Sequence, residues 1–324
     1  MNTRTKAALA AAALAPAAGV LGVSDYFLRT ATARTQPRSL RLIVKLMQGL
    51  KQGEDPYAGL EPDQERLRTS PHETVRITAH DGASLVGHWF ERPGAVRTIL
   101  AVHGWRSLWY RDFGASQDFY RDEHCNVLYI EQRGQGESDG DYIGFGMLER
   151  LDLPDWAAWI NARCGEALPI YLAGISMGAT TVLMAAELCF PPNVLGLMAD
   201  CGFTSADAIW RHVAEDNLHL PYAPLRTPSS LLCRRRLGCD PREISTTAAL
   251  KNSRLPVLFV HGEADSFVPA SMTEENYAAC VARKQMLLVP GAGHGLSYLV
   301  DQEGYENAIR GFWADCECGR DSET

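Results

Sequence analysis

The pentapeptide Gly174-Ile175-Ser176-Met177-Gly178 constrains this chain more than any other stretch. An apolar run, residues 169–172 (PIYL), precedes it, and a stretch that suits a helix, residues 179–188 (ATTVLMAAEL), follows. A serine on a sharp turn between a strand and a helix stands clear of the sheet with its hydroxyl exposed. Residues two before and two after it press on neighbouring backbone and must be small, which Gly174 and Gly178 satisfy. The backbone N–H of Met177 then opens the helix, where it can meet developing negative charge. A Gly/Ser turn that merely ends a strand has the same letters, so the rest of the chain decides.

Short apolar runs recur on both sides of the pentapeptide. Residues 73–79 alternate as a half-buried strand does, Asp81-Gly82 signals a hairpin, and residues 84–90 return. Further runs at 97–102, 126–130, 194–199, 256–260 and 285–289 each end in a polar or glycine-rich cluster. Helical stretches at 116–123, 148–161 and 305–314 lie among them, with Pro154 suited to a first helical turn. Strands alternating with helices define an α/β fold with a mostly parallel sheet covered on both faces. Residues 204–250 break the alternation and are too long for a simple crossover. Such an insertion reads either as a small helical lid over a site or as a peripheral helical pair.

Composition narrows the partners. A net charge of −8 over 324 residues offers no broad basic surface for phosphates, so nucleic acid is not an expected partner. Nine cysteines show no metal-ligand or thioredoxin spacing; Cys316 and Cys318 form C-x-C, and Cys233 and Cys239 lie six apart. They read as buried or incidental thiols of a reducing compartment. No cluster points to a metal, and no glycine-rich loop points to a nucleotide, so no cofactor is expected.

The start of the chain has two readings. Arg4 and Lys6 precede an Ala-rich apolar run, residues 7–23, and Arg29, Arg34, Arg38, Arg41 and Lys45 follow it. A cleaved secretory signal would use Ala13-Leu14-Ala15 or Ala15-Pro16-Ala17 as its small-residue site. A retained anchor would span about 17–25 apolar residues, and the basic flank then sets the following chain in the cytoplasm. The favoured organisation is an anchor or signal segment at 1–28, a basic helix and linker at 29–70, and a catalytic domain at 71–324. The favoured localisation is a membrane-anchored protein with a cytoplasmic domain; secretion after cleavage is the alternative, and a helix packed on the domain stays open. Residues 39–50 have helical spacing, and residues 53–71, polar with Pro56, Pro62 and Pro71, read as a linker.

In an open parallel sheet the reacting groups gather at the carboxyl ends of the strands. Ser176 follows one strand, Asp265 a later one, and His294 the last, in a GAGHG loop. Ser176 would attack an acyl carbon, His294 would take and return the proton, and Asp265 would hold the imidazole in its working tautomer. Asp200 also ends a strand and is the rival acid, with Glu263 nearby. The backbone N–H groups of Met177 and Trp105 are the expected oxyanion donors, and His103 reads as a structural histidine. Arg234-Arg235-Arg236 could meet an acid group, although solvated surface is the commoner use.

His103-Gly104-Trp105, Arg133-Gly134-Gln135-Gly136-Glu137-Ser138, Gly174–Gly178, Asp265 and Gly293-His294-Gly295 together resemble the α/β-hydrolase superfamily. Within it the chain resembles the bacterial single-anchor hydrolases related to esterases and serine aminopeptidase-like enzymes. The resemblance covers about residues 73–314. It implies the α/β-hydrolase fold with a small helical lid, and a Ser176–Asp265–His294 triad in the order Ser…Asp…His. The family often has Asp where Glu131 stands, and Ile175 is apolar where relatives often carry a polar or aromatic residue. The implied substrate is a small-molecule acyl ester or amide. An esterase leads; a peptidase or amidase, a thioesterase and an acyltransferase share the triad, and a non-catalytic ligand-binding protein shares the fold.

Overall fold

The computed structural model describes residues 3–35 and 59–321. Its centre is one eight-stranded sheet built from β1 (Glu73–Thr78), β2 (Ser84–Phe90), β3 (Arg97–Val102), β4 (Cys125–Glu131), β5 (Ile170–Ile175), β6 (Val194–Asp200), β7 (Val257–Gly262) and β8 (Lys284–Val289). The strand order is β1-β2-β4-β3-β5-β6-β7-β8. The hairpin β1–β2 is antiparallel, β2 pairs antiparallel with β4, and every later pairing is parallel. All the strands expected from the sequence form, with ends that differ by at most three residues.

The helices are α1 (Thr3–Thr32), α2 (Glu61–Thr69), α3 (Trp109–Phe113), α4 (Gln117–Asp122), α5 (Leu153–Cys164), α6 (Met177–Met184), α7 (Ala206–His212), α8 (Ala223–Leu237), α9 (Thr246–Asn252), α10 (Ala270–Ala279), α11 (Ser297–Val300) and α12 (Gln302–Asp321). Strand periodicity sorts them into layers. Leu100 and Val102 of β3, with Ile170 and Leu172 of β5, face Trp156 and Ile160 of α5 and Val182 of α6. The alternate residues Ile99, Ala101, Tyr171 and Ala173 face Trp109 and Phe113 of α3, Phe119 of α4 and Trp313 of α12. Both faces are dry, so the central strands are continuous apolar runs rather than alternating ones. Trp89, Trp156 and Trp313 are wholly buried; each such ring removes roughly 150–250 Å² from water, worth about 4–6 kcal/mol of transfer free energy.

A third apolar cluster lies beyond the carboxyl ends of the strands. There α1 contributes Leu28 and Ala31, α7 Ile209 and Trp210, and α8 Leu225 and Leu237, around Phe145, Met177 and Phe203. The insertion 204–250 is therefore helical: α7 and α8 form the cap with α1, while α9 returns to the body, where Leu250 joins the cluster around α6. Two of the three clustered arginines of α8 are engaged within the protein, and Arg235 is exposed. Arg234 pairs with Asp240 and Glu243, and Arg236 pairs with Asp25 of α1.

Two expectations for the early chain change. The segment read as a linker contains α2, whose Pro62 lies in the first turn, with Glu61 and Asp63 there and Arg66 and Arg68 in the last turn. Only its Leu67 is buried, so no apolar stripe announced it. No helix among the described residues is long and apolar enough to cross a membrane. The expected anchor run 7–23 lies within α1, which continues to Thr32 and turns Leu28 and Ala31 into the protein. The run is Ala-rich and weakly hydrophobic, whereas its tail carries the larger side chains that find partners. The helical spacing at 39–50 lies outside the described residues. All nine cysteines are free thiols.

Candidate active site

Ser176 sits between β5 and α6 with φ 56° and ψ −118°, a strained conformation for a residue with a side chain. The turn is held by Ser176 N–H donating to the Asp200 carbonyl at 2.8 Å and by Thr180 N–H donating to the Ser176 carbonyl at 3.0 Å. Both flanking glycines are sterically required. A Cβ on Gly174 would collide with the Gly178 backbone, and one on Gly178 would collide with the carbonyl of Val102 in β3. Of the six non-glycine residues with positive φ among the described residues, Arg106, Phe145 and Cys201 join Ser176 in the loops around this turn.

The strand ends bring Ser176, His294 and Asp265 into one line of hydrogen bonds. Ser176 Oγ lies 2.9 Å from His294 Nε2, and His294 Nδ1 lies 2.6 Å from Asp265 Oδ2. With Asp265 ionised, Nδ1–H donates and Nε2 is left to accept the serine proton. The other carboxylate oxygen, Oδ1, accepts the N–H groups of Phe267 and Val268 at 2.8 and 2.9 Å. Burial alone would raise the Asp265 carboxyl, but hydrogen bonds from His261 and His294 outweigh it and hold the group well below the ordinary carboxylate range. His261, buried beside it, bonds Val268 O and Thr273 Oγ1 and braces the acid from behind.

The rival acids are occupied otherwise. Asp200 is buried, its carboxylate accepts the Ser297 hydroxyl at 3.2 Å, and burial pushes its carboxyl up. Glu263 is exposed at the surface. The Cys201 thiol, with a donor atom within 4.8 Å of those of Asp265 and His294, was not singled out from sequence. Burial raises it well above the usual thiol range, so it packs as a neutral group.

Residues 103–107 form the loop that faces the serine. A Cβ on Gly104 would lie 3.4 Å from Ser176 Cβ, which measures how closely this backbone approaches. His103 is a structural group: Nδ1–H donates to Gly104 O at 2.8 Å, and Nε2 accepts Gln132 N–H at 3.3 Å. Asp112 of α3 accepts Gly104 N–H at 2.6 Å and the Ser107 hydroxyl at 2.5 Å. Gln132 donates to His103 O, and Gln135 accepts Arg106 N–H at 2.6 Å. The N–H groups of Trp105 and Met177 have no acceptor among the described residues. Gln132 and Gln135 went unremarked as site residues in the sequence because their partners are 29 positions away, and Asp112, close to its partners in the chain, has no motif around it. Glu131, where the family often has Asp, accepts Glu137 N–H and bonds His88 Nε2 at 3.1 Å, so the longer side chain spans to β2.

The loop 143–147 roofs α6. It is held from within by Glu149, whose carboxylate accepts Gly144 N–H at 2.5 Å and Gly146 N–H at 2.9 Å. Glu149 is buried, and burial pushes its carboxyl up from 4.5 to about 7 despite those donors. The folded chain therefore holds this proton more tightly than the unfolded chain does. Its stabilising contribution is complete below 4.5 and is lost as pH rises through about 7. Glu149→Gln removes the ionisation, so its Tm relative to wild type should rise between about pH 5 and pH 8 in thermal melts. A difference that stays constant across that range refutes the assignment.

Residues 99–307 match the alpha/beta hydrolase family, and the chain belongs to that family. It is 28% identical over 236 residues to YqkD of Bacillus subtilis, covering 71% of this chain and 75% of YqkD. It is 29% identical over 269 residues to Rv2307c of Mycobacterium tuberculosis, covering 79% and 84%. Among solved structures, the esterase PF2001 of Pyrococcus furiosus superposes with a TM-score of 0.63 at 23% identity, over 76% of this chain and 91% of its own. Est1E of Butyrivibrio proteoclasticus, solved with ferulic acid bound, gives 0.54 at 18% identity, over 75% and 99%. At these identities the structural likeness establishes the fold.

Proposed function

We propose that this chain is a serine hydrolase that cleaves carboxylic esters through an acyl-enzyme on Ser176. The line of hydrogen bonds from Ser176 through His294 to Asp265 carries the reading. His294 Nε2 takes the serine proton as Oγ attacks the acyl carbon, and Asp265 stabilises the imidazolium that forms. The N–H groups of Trp105 and Met177 receive the oxyanion. His294 returns its proton to the departing alkoxide, and a water molecule, deprotonated in turn by His294, releases the acid and restores Ser176. The apolar surroundings, Met177 with Trp105, Phe145 and Phe203, support a small or medium acyl group or an aromatic one. The esterase PF2001 and the ferulic acid bound to Est1E are in keeping with that class.

Hydrolysis of a p-nitrophenyl acyl ester series by wild type and Ser176→Ala tests the proposal. Wild type should turn over the esters with a chain-length optimum, and Ser176→Ala should lose roughly 10⁴- to 10⁶-fold in kcat. If both proteins are folded and neither is active, simple esters are the wrong substrates.

A further inference from the structure

The geometry points to a catalytic role for the last turns of α1: they position the oxyanion loop, through the side chains of Trp105 and Arg106. The inference rests on the serine-hydrolase reading above and assigns the N-terminal helix a task within it. Trp105 Nε1–H donates to the Ala31 carbonyl at 2.9 Å. The Arg106 guanidinium donates to the carbonyls of Thr30 at 3.1 Å, Ala33 at 2.6 Å and Arg34 at 3.3 Å. The Thr30 and Ala31 carbonyls belong to the last turn of α1 and those of Ala33 and Arg34 follow it directly; orphan acceptors and the negative end of the helix dipole there attract a cation. Two consecutive side chains of the loop that abuts Ser176 are thus bound to one helix end from more than 70 residues away in sequence.

That end is itself well fixed. Leu28 and Thr32 are wholly buried, Phe27 packs edge-on against Trp210, and Arg236 of α8 pairs with Asp25. Ala33 bridges Tyr142, and Ile143 N–H donates to Thr32 O at 2.6 Å. Arg34 donates to the carbonyls of Gly136 at 2.6 Å and Ser138 at 2.6 Å. Arg106 adopts φ 53°, so its backbone needs restraint from outside the residue, and that restraint comes from Gln135 on one side and α1 on the other. The peptide that carries Trp105 N–H joins Gly104 to Trp105, one residue before Arg106, so the Trp105 and Arg106 side-chain contacts hold the chain just beyond it. An oxyanion donor is effective only when it is held in place before the charge develops. Trp105 and Arg106 are therefore positioning residues through their side chains, distinct from the Trp105 backbone donor.

The test is the second-order rate of phosphonylation of Ser176 by an alkyl fluorophosphonate, followed by intact mass. In that reaction Oγ bonds to phosphorus, fluoride leaves, and His294 accepts the serine proton. It needs the triad and the oxyanion hole and does not depend on the natural substrate. Trp105→Phe keeps an aromatic side chain, smaller than the indole, and the backbone donor but loses Nε1–H; Arg106→Ala removes the clamp; Arg106→Lys restores a cation. Trp105→Phe should slow phosphonylation about 10-fold and Arg106→Ala about 10- to 100-fold, with Arg106→Lys in between. On an ester substrate the loss should fall on kcat rather than KM. Ile160→Val, a core change in α5 away from the site, supplies the control: it lowers Tm and keeps the rate. Rates equal to wild type in Trp105→Phe and Arg106→Ala overturn the inference. So do losses that merely follow Tm, or that appear in KM alone. Wild type that is folded yet unlabelled at Ser176 instead overturns the serine-hydrolase reading.

Discussion

Asp265→Asn is expected to lower kcat on a p-nitrophenyl ester about 10⁴-fold, with KM and Tm little changed. The reasoning follows from which oxygen does what. Oδ1 accepts two backbone donors, Phe267 and Val268 N–H, and Oδ2 accepts His294 Nδ1–H. In the variant those two donors select the amide oxygen for the Oδ1 position, so the NH₂ group faces His294. A donor there forces the imidazole to carry its proton on Nε2, where it meets the Ser176 hydroxyl and cannot act as a base. The loop keeps its backbone hydrogen bonds, and the fold survives. Steady-state kinetics beside a thermal melt decides the matter. A folded Asp265→Asn enzyme with near-wild-type turnover would transfer the role to Asp200 or Glu263.

Gly178→Ala is expected to abolish folding rather than chemistry. The added Cβ would lie 2.6 Å from the Val102 carbonyl carbon and 2.7 Å from the His103 oxygen, both backbone atoms. Val102 is registered against Ile130 on one side and Gly174 on the other, so β3 has no direction in which to yield. A clash of that kind in a packed interior belongs with the rare substitutions costing more than about 4 kcal/mol, a large part of a domain's total stability. Gly311→Ala makes the contrast. It lies within α12 with nothing within 4 Å of its Cβ, and the change should stabilise the protein by up to about 1 kcal/mol. Soluble yield and denaturant unfolding of the two variants measure the difference. A Gly178→Ala protein that unfolds at the wild-type midpoint would refute the steric account of the turn.

The inner parallel strands were legible because they are buried on both faces and read as apolar runs, and the edge strand β8, half-buried, still shows the run Met286-Leu287-Leu288-Val289. The chain order Ser176, Asp265, His294 was legible because each residue ends such a run, and the structure brings these three side chains within hydrogen-bond reach. Other elements left no such trace. Helix α10 carries Met272, Thr273 and Asn276 inward, a mixed face with no apolar stripe. Helix α2 buries one leucine. In α1 the Ala-rich run drew attention to residues 7–23, while the residues that engage the domain lie further on. The supports of the oxyanion loop were hidden for a different reason. Gln135 and the carbonyls of Thr30 and Ala33 act across the fold, and main-chain acceptors have no signature in a sequence.

The long reach of the α1 contacts also bears on biosynthesis. This helix is the first part of the described chain to leave the ribosome, and Asp25 must wait for an arginine 211 positions later. At about 5–20 residues per second that interval is roughly 10–40 s. During it the native cover of Phe27, Leu28 and Ala31 arrives piecemeal, as Trp105, Phe145, Trp210 and Tyr222 emerge one after another. The nascent chain therefore presents an apolar helix to chaperones and to other chains before the sheet exists to receive it. Its docking is one of the late steps of maturation, and the loop that it grips is completed at the same moment.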